Sequence, residues 1–368
     1  MSLEGHLDIV LPRDTDAPIR IELQEPANIT KLLIGRSPEA ASLLIPTLFS
    51  LCGTAHAAAA IQAAETAKGI EPDLATHQIR NCLVLMERAR EHLLRISLVW
   101  QKIVGAEPDT ETAQAALKLL PAFRQAIDQN GCAFSEPVSN WRASDDGSAL
   151  ITCLISLIEN RILGETIPAW LNRHDGSALA CWTEQIPTGA ARFLGSVLKC
   201  SCEEPAPDRP LFLSESGLTE PLETVKEVPE TSSYERRRSH PILTQRGMPT
   251  LADRYLARLI DLAETAQELY QVFLDVDSAA SRTNNTVKPG VGFAETARGR
   301  LTHVVDLQDG KVANYKIISP TRWNFASRGV ATRYLDAIPK GPDSARVKHA
   351  DLVVGAIDPC VAYEVRIH

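Results

Sequence analysis

The sequence predicts a mainly α-helical fold with small β elements near both ends, an α+β arrangement around a helical bundle. Three observations point there. Asp73 to Val104 carries apolar residues at helical spacing. Further helical stretches follow it, set apart by Gly, Pro and Asp-Gly signals. Short alternating strands occur toward the two ends. With 368 residues and 44% apolar side chains the chain can bury a substantial core. It shows no internal repeat. One domain over 1–368 is expected, with a long irregular or mobile segment at 203–250 inside it.

The elements read in order as follows. "HLDIVL" and "IRIEL" alternate apolar and polar residues, as half-buried strands do. Ser37-Pro38-Glu39 is a helix start, with Ser at the N-cap and Pro at the first position. Pro46 is expected to kink or end that helix. A second helix runs past Thr54 to Lys68, with Gly69 as its C-cap. In the long helix Ile79, Leu83, Met86, Leu93, Ile96, Trp100 and Ile103 make the core face, while Arg88, Arg90, Glu91 and Arg95 read as a mostly solvated face. More helices are expected at about 110–129, 146–162 and 178–199. Glu203 to Thr250 is rich in Pro, Glu, Ser and Thr, which suggests a charged solvent loop, with a partner-binding arm as the alternative. Thr250 then caps a helix through about Asp277. "LTHVVDL" and "KVANYKII" flank Asp309-Gly310 and read as a hairpin. Helical signals return near 326–338 and 343–356.

Composition excludes several function classes. The balance of 38 basic and 46 acidic residues, a net of −8, argues against a nucleic-acid binder, which needs basic faces to neutralise phosphates. Ala40 to Ala64 has no charged residue, but it holds Pro46, Gly53, His56, Gln62 and much alanine, so a buried helix pair accounts for it better than membrane insertion. "MSLEGHLDIV" lacks the pattern of a signal peptide, which predicts a cytoplasmic protein with reduced thiols. The eight cysteines include no CxxC, and the close pair Cys200-Ser201-Cys202 supplies too few ligands for a zinc site.

Four separated stretches carry chemistry: "LEGHLDI", "LCGTAH", "AETARGRLTH…NYKIISPTRWN" and "DPCVAYEVRIH". Each alone has a plain reading. Cys52 is a small buried hydrophobe, Asp358-Pro359 a turn, Arg298 a surface arginine and His303 a satisfied core histidine. Together they resemble the large subunit of nickel–iron hydrogenases. Glu4-Gly5-His6-Leu7 matches that family's opening segment, and Gly35-Arg36-Ser37-Pro38 its Gly-Arg-x-Pro. Cys52-Gly53 matches the start of Cys-Gly-x-Cys. Glu295 to His303 matches Glu-x-Pro-Arg-Gly-x-Leu-x-His. Asn314-Tyr315 and Pro320-Thr321-Arg322-Trp323-Asn324 follow in the family's order, as does Asp358-Pro359-Cys360. Residues 105 to 225 match no motif.

In that family four cysteines hold nickel and two of them bridge to an iron bearing cyanide and carbon monoxide, chemistry that suits soft thiolates. Here Cys52 and Cys360 match terminal nickel ligands, whereas Ala55 and Tyr363 stand where the bridging thiolates would be. The family's following histidine falls on Ala59, a carboxylate ligand of a separate structural metal falls on Thr30, and His368 is displaced by two residues. Two thiolates cannot supply the four-sulfur nickel site. The pattern instead looks like the hydrogenase-assembly proteins of the HupK/HoxV type, shortened relatives of the large subunit. Glu230 to Leu243 is similar to a Glu-x-Gly-x-x-x-Arg stretch of that group, with Ser232 replacing the glycine.

The resemblance implies a maturation scaffold that performs no turnover. Its cargo would be the Fe(CN)2(CO) unit, without stoichiometric nickel. It would accept that unit from a HypC/HypD-type complex and pass it to the apo large subunit. Cys52 and Cys360 are the expected iron ligands. Arg298, Pro320 and Thr321 are expected on the cyanide side, and Glu4 matches a proton-relay glutamate. Two alternatives stay open: a metal-free mimic of the large subunit that binds maturation proteins, and a degenerate subunit with a redox role.

Overall fold

The computed structural model describes residues 5–13, 17–24, 29–49, 51–135, 143–199, 228–245, 249–274 and 289–368. β1 (His6–Leu11) and β2 (Arg20–Gln24) form where the sequence alternates, and Leu7, Ile9 and Leu11 are fully buried. The helical part follows: α1 (Pro38–Leu48), α2 (Gly53–Lys68), α3 (Leu74–Leu94), α4 (Gln101–Ile103), α5 (Thr110–Ile127), α6 (Asp145–Leu157), α7 (Ile167–Leu171), α8 (Gly176–Gln185) and α9 (Gly189–Lys199). Then come α10 (Ser233–Arg237), α11 (Pro241–Thr244) and α12 (Leu251–Leu274). A second sheet has β3 (Val291–Thr296), β4 (Gly299–Gln308) and β5 (Lys311–Ile318). The chain finishes with α13 (Pro320–Asn324), α14 (Val330–Asp336), α15 (Asp343–Ile357) and β6 (Ala362–Ile367). This is the α-rich fold with small sheets that the sequence predicts.

Local signals explain the boundaries. Ser37 Oγ accepts the Ala40 N–H at the start of α1, and the helix runs two residues past Pro46 before Phe49 turns extended. Gly69 closes α2 in the left-handed conformation. The long helix continues past α3 as a π-helical stretch, Arg95–Trp100, before α4. A second π-helical stretch, Ile158–Leu163, extends α6. The expected helix at 178–199 is two helices, α8 and α9, split at Pro187.

The two sheets place the ends of the chain. The first has the order β2-β1-β6, with β1 antiparallel to β2 and parallel to β6. Leu7 pairs with Tyr363 and Leu11 with Ile367. The residues after Cys360, to which the sequence reading assigns no element, therefore form a strand. The second sheet has the order β3-β4-β5, all antiparallel, with Asp309 and Gly310 both at positive φ in the hairpin turn. α2 lies on this sheet. A Cβ at Gly292 would meet Ala59 O at 2.2 Å, so only glycine permits that approach.

One apolar cluster runs from Leu7 to Ile357 and includes Trp100, Phe123, Phe193, Tyr255 and Leu262. Trp100 stacks on Phe193 at 4.6 Å and meets Tyr255 edge-on at 5.2 Å. No helix among the described residues is long and apolar enough to cross a membrane.

Two sequence expectations are corrected. Arg88 and Glu91 on α3 are buried, and Arg90 and Arg95 are half-buried, so this is no solvated face. α3 packs between α12 and α5, and α12 presents charges of its own to it. The reading of 203–250 as a charged solvent loop also fails for its described part. Residues 200–227 and 246–248 lie outside the described residues, but Val228 to Tyr234 is buried. This run threads between β4 and α13. Asn324 holds the Thr231 backbone through both amide atoms, at 3.1 and 2.6 Å. Thr231 Oγ1 accepts the Arg300 N–H at 2.7 Å. Gly299, at φ 127°, has no room for a Cβ because Thr231 O would lie 2.3 Å from it.

A buried ion pair pins the same run to α12. Glu230 Oε2 accepts from Arg254 Nη2 at 2.7 Å, and the Arg254 guanidinium lies 5.0 and 4.5 Å from the Tyr234 and Tyr334 ring centroids. Glu230→Ala leaves a buried, uncompensated guanidinium and should destabilise the fold by about 3–5 kcal/mol. Urea denaturation reads this. A loss below about 1 kcal/mol would mean that the pair does not anchor the segment.

Candidate functional site

Cys52 stands at the N-cap of α2 but does not cap it. The Glu87 carboxylate on α3 does so instead, accepting the Thr54 and Ala55 N–H groups at 2.8 and 2.9 Å. Arg124 adds a hydrogen bond to Thr54 Oγ1 at 3.0 Å. The turn carrying Cys52 is thus fixed from two helices. The thiol packs with Ala55, Ala59, Val84, Ala294 and Leu301. Burial pushes its pKa well up, Arg298 opposes this, and Cys360, Glu87 and Glu91 reinforce it.

Cys360 comes from the other end of the chain. α15 ends at Asp358 in the left-handed conformation, φ 64°, which turns Pro359 and Cys360 back toward α13. Thr321 Oγ1 accepts the Cys360 N–H at 2.9 Å and donates to Cys360 Sγ at 3.1 Å. Pro320 is the buried first residue of α13, where its fixed φ helps to place Thr321. Both cysteines are free thiols.

Arg298 occupies the tight turn between β3 and β4. Its backbone N–H donates to Thr296 Oγ1 at 3.1 Å. Nη1 and Nη2 both reach Glu91 Oε2 at 3.2 Å, and Nε lies 3.5 Å from Asp358 Oδ2 without a hydrogen-bond partner. Burial acts against its charge, but Glu91, Cys52 and Cys360 outweigh that and hold it protonated. Cys52, Cys360 and Arg298 therefore lie near enough for their charges to act on one another, and Thr321 bonds Cys360.

A charged layer supports this group. Asp358 is shared by Arg298, Arg95 and Arg258, the last at 2.9 Å. Burial holds the Arg258 pKa down to about 9, with Arg95 and Arg298 adding to the effect. Burial, then Arg298, holds Arg95 down to about 10. Glu91 is shared between Arg298 and Arg90. Farther along α12, Asp261 meets His92 at 2.8 Å, Arg236 at 2.6 Å and Arg237 at 2.8 Å.

Of the residues singled out from sequence, Cys52, Cys360, Arg298 and Thr321 come together, with Pro320 beside them. Glu4 lies outside the described residues, as do Cys200 and Cys202. Arg298 is buried and not a surface arginine, and Asp358 is a buried charge centre and not merely a turn residue. His303 is a satisfied core histidine, bonded to His56 at 3.0 Å and to Tyr315 OH at 2.8 Å. The Tyr363 hydroxyl donates to Asp351 Oδ1 at 3.2 Å, which ties β6 to α15. Sequence reading missed Glu87, Glu91, Arg95 and Arg258. A signal was present: Glu87, Glu91 and Arg95 recur every four residues, in line with the buried Val84.

Chemically the group offers two soft donors, one hydroxyl and one fixed cation. That set fits a soft metal whose other ligands carry negative charge, and it falls short of a four-sulfur nickel site.

Comparison with known proteins finds relatives along nearly the whole chain. The nickel-dependent hydrogenase family model matches residues 242–362. The chain is 28% identical to the hydrogenase expression/formation protein HupV of Azotobacter chroococcum mcd 1, over 94% of this chain and 93% of the relative. It is 29% identical to the hydrogenase expression/formation protein HoxV of Cupriavidus necator, over 93% and 91%. Among solved structures, an NAD+-reducing [NiFe]-hydrogenase in the H2-reduced state superposes with a TM-score of 0.61 at 18% identity, covering 94% of this chain and 93% of the other. The Ni-Fe-Se hydrogenase from D. vulgaris Hildenborough gives 0.61 at 15% identity, with the same coverage.

The buried histidines predict a pH dependence. Burial holds His92 down to about 4 and His303 to about 3, and burial followed by His303 lowers His56. Their ordinary value is 6.5, so below it the unfolded chain binds more protons than the folded one. Stability is full above about pH 7 and falls toward pH 4, by up to about 1.4 kcal/mol per pH unit for each histidine. Urea midpoints at about pH 7.5 and about pH 5 test this; equal midpoints would refute it.

Proposed function

We propose that this chain, a relative of the nickel–iron hydrogenase large subunit and of the hydrogenase expression/formation proteins HupK, HupV and HoxV, serves hydrogenase maturation as a non-catalytic carrier of the Fe(CN)2(CO) unit. It accepts the unit from a HypC/HypD-type complex and releases it to the apo large subunit. The observation that carries this reading is the placement of Cys360, held by Thr321 through backbone and sulfur, next to Asp358, whose carboxylate meets Arg298, with Cys52 close enough for the charges to act on one another.

Each residue has a role that follows from its surroundings. Cys52 and Cys360 are the iron ligands. The raised Cys52 pKa keeps its thiol protonated in the empty site, so metal binding must displace a proton. Arg298 is held charged and its Nε has no hydrogen-bond partner, which suits it to meet an anionic cyanide nitrogen. Thr321 holds Cys360 through both backbone and sulfur and sets where that sulfur points. Two thiolates bind less firmly than four, which a site that must hand over its contents requires.

Infrared spectroscopy on protein purified anaerobically from a host with active maturation proteins tests this reading. Wild type should show cyanide and carbonyl stretches, with iron present and no stoichiometric nickel. Cys360→Ser should lose the bands, and Thr321→Val should retain the unit less well. Wild type that copurifies with maturation proteins but never shows the bands would sink the carrier reading and favour the metal-free mimic.

A further inference from the structure

We propose that Arg95 and Arg258 make the site selective by charge: together with Arg298 they repel bare divalent cations, so the cysteines accept a metal only when it brings its own anionic ligands. This rests on the carrier reading for the nature of the cargo, but not for its test.

The argument starts from how the carboxylates near the thiols are used. Asp358 is divided among three guanidinium groups, those of Arg95, Arg258 and Arg298. Glu91 is divided between Arg298 and Arg90. Glu87 is taken up by two N–H groups at the positive end of α2. Four guanidinium groups thus share Asp358 and Glu91, and with Glu87 counted they face three carboxylates. Arg258 and Arg298 are fully enclosed, and the Nε atoms of both lack a hydrogen-bond partner. The local surplus is positive, and there is little water to screen it.

Two cysteines beside such a surplus offer a free dication little. The dication adds its charge to a region already positive. An iron carrying two cyanides brings compensating negative charge, and the unpaired Nε of Arg298 gives that charge a donor. Arg298 is held against Glu91 and Asp358, and its charge acts on both cysteines. Arg95 and Arg258 act through Asp358: by drawing on its charge they leave Arg298 incompletely neutralised. They are therefore positioning residues whose effect is selection against the wrong metal species.

The test uses the apo protein under anaerobic conditions and Co(II) as the bare dication, read by calorimetry and by thiolate-to-cobalt charge-transfer absorption. Wild type should bind Co(II) weakly. Arg258→Met should bind it at least about tenfold more tightly. Arg95→Met, at a less deeply buried position that leaves Asp358 two partners, should shift affinity the same way and covers the case in which Arg258→Met fails to fold. Adding Cys52→Ser and Cys360→Ser to either variant should abolish the absorption band. Wild type binding Co(II) as tightly as both variants overturns the inference, and so does a gain in affinity that survives loss of the cysteines. Absence of cyanide bands in loaded protein would count against the carrier reading alone.

Discussion

The arrangement depends on one buried carboxylate. Asp358 ends α15 with a left-handed turn, and its two oxygens face arginines from three other places: the π-helical stretch after α3, α12, and the turn between β3 and β4. A carboxylate taken from water at this depth is tolerable only with several charged donors around it. The same turn sends the chain into Cys360. The residue that draws the arginines together therefore also delivers one of the two thiols, and the site cannot be separated from the packing of the helices.

The neighbouring interactions share this economy. Glu87 caps α2 because Cys52 does not, which leaves the thiol uncommitted while the turn around it is rigid. Thr321 caps nothing and uses its hydroxyl on Cys360. Arg298 is placed by Thr296 and by a glycine at 299 that lets the Thr231 backbone close in behind it. In each case a contact from one element fixes the backbone that carries a residue of the group on another.

Much of this was legible in the sequence, for identifiable reasons. Helices with caps and punctuation, such as Ser37-Pro38 and Gly69, announced themselves because their signals are local. The motif residues Cys52, Arg298, Thr321 and Cys360 were legible through resemblance, and the fold brings them together. The failures are non-local. Arg88, Glu91 and Arg95 look solvated on a helical wheel, because a wheel cannot show that α12 brings its own charges to meet them. Val228 to Tyr234 looks like loop because its backbone partners, Asn324 and Arg300, lie far along the chain. β6 was missed although Tyr363, Val365 and Ile367 alternate with Glu364 and Arg366; its partner β1 lies at the other end of the sequence.

The parallel pairing of β1 with β6 has a consequence in time. Leu7 emerges from the ribosome early and waits for Tyr363 before that edge of its sheet is paired. Cys360 lies just ahead of β6, so it joins Cys52 only after more than three hundred intervening residues have been made. Closing so long a loop is entropically costly and slow. Synthesis itself therefore enforces an order of events: a growing chain presents Cys52 without Cys360 and an unpaired edge of β1, and both are completed only once the chain through β6 has been made.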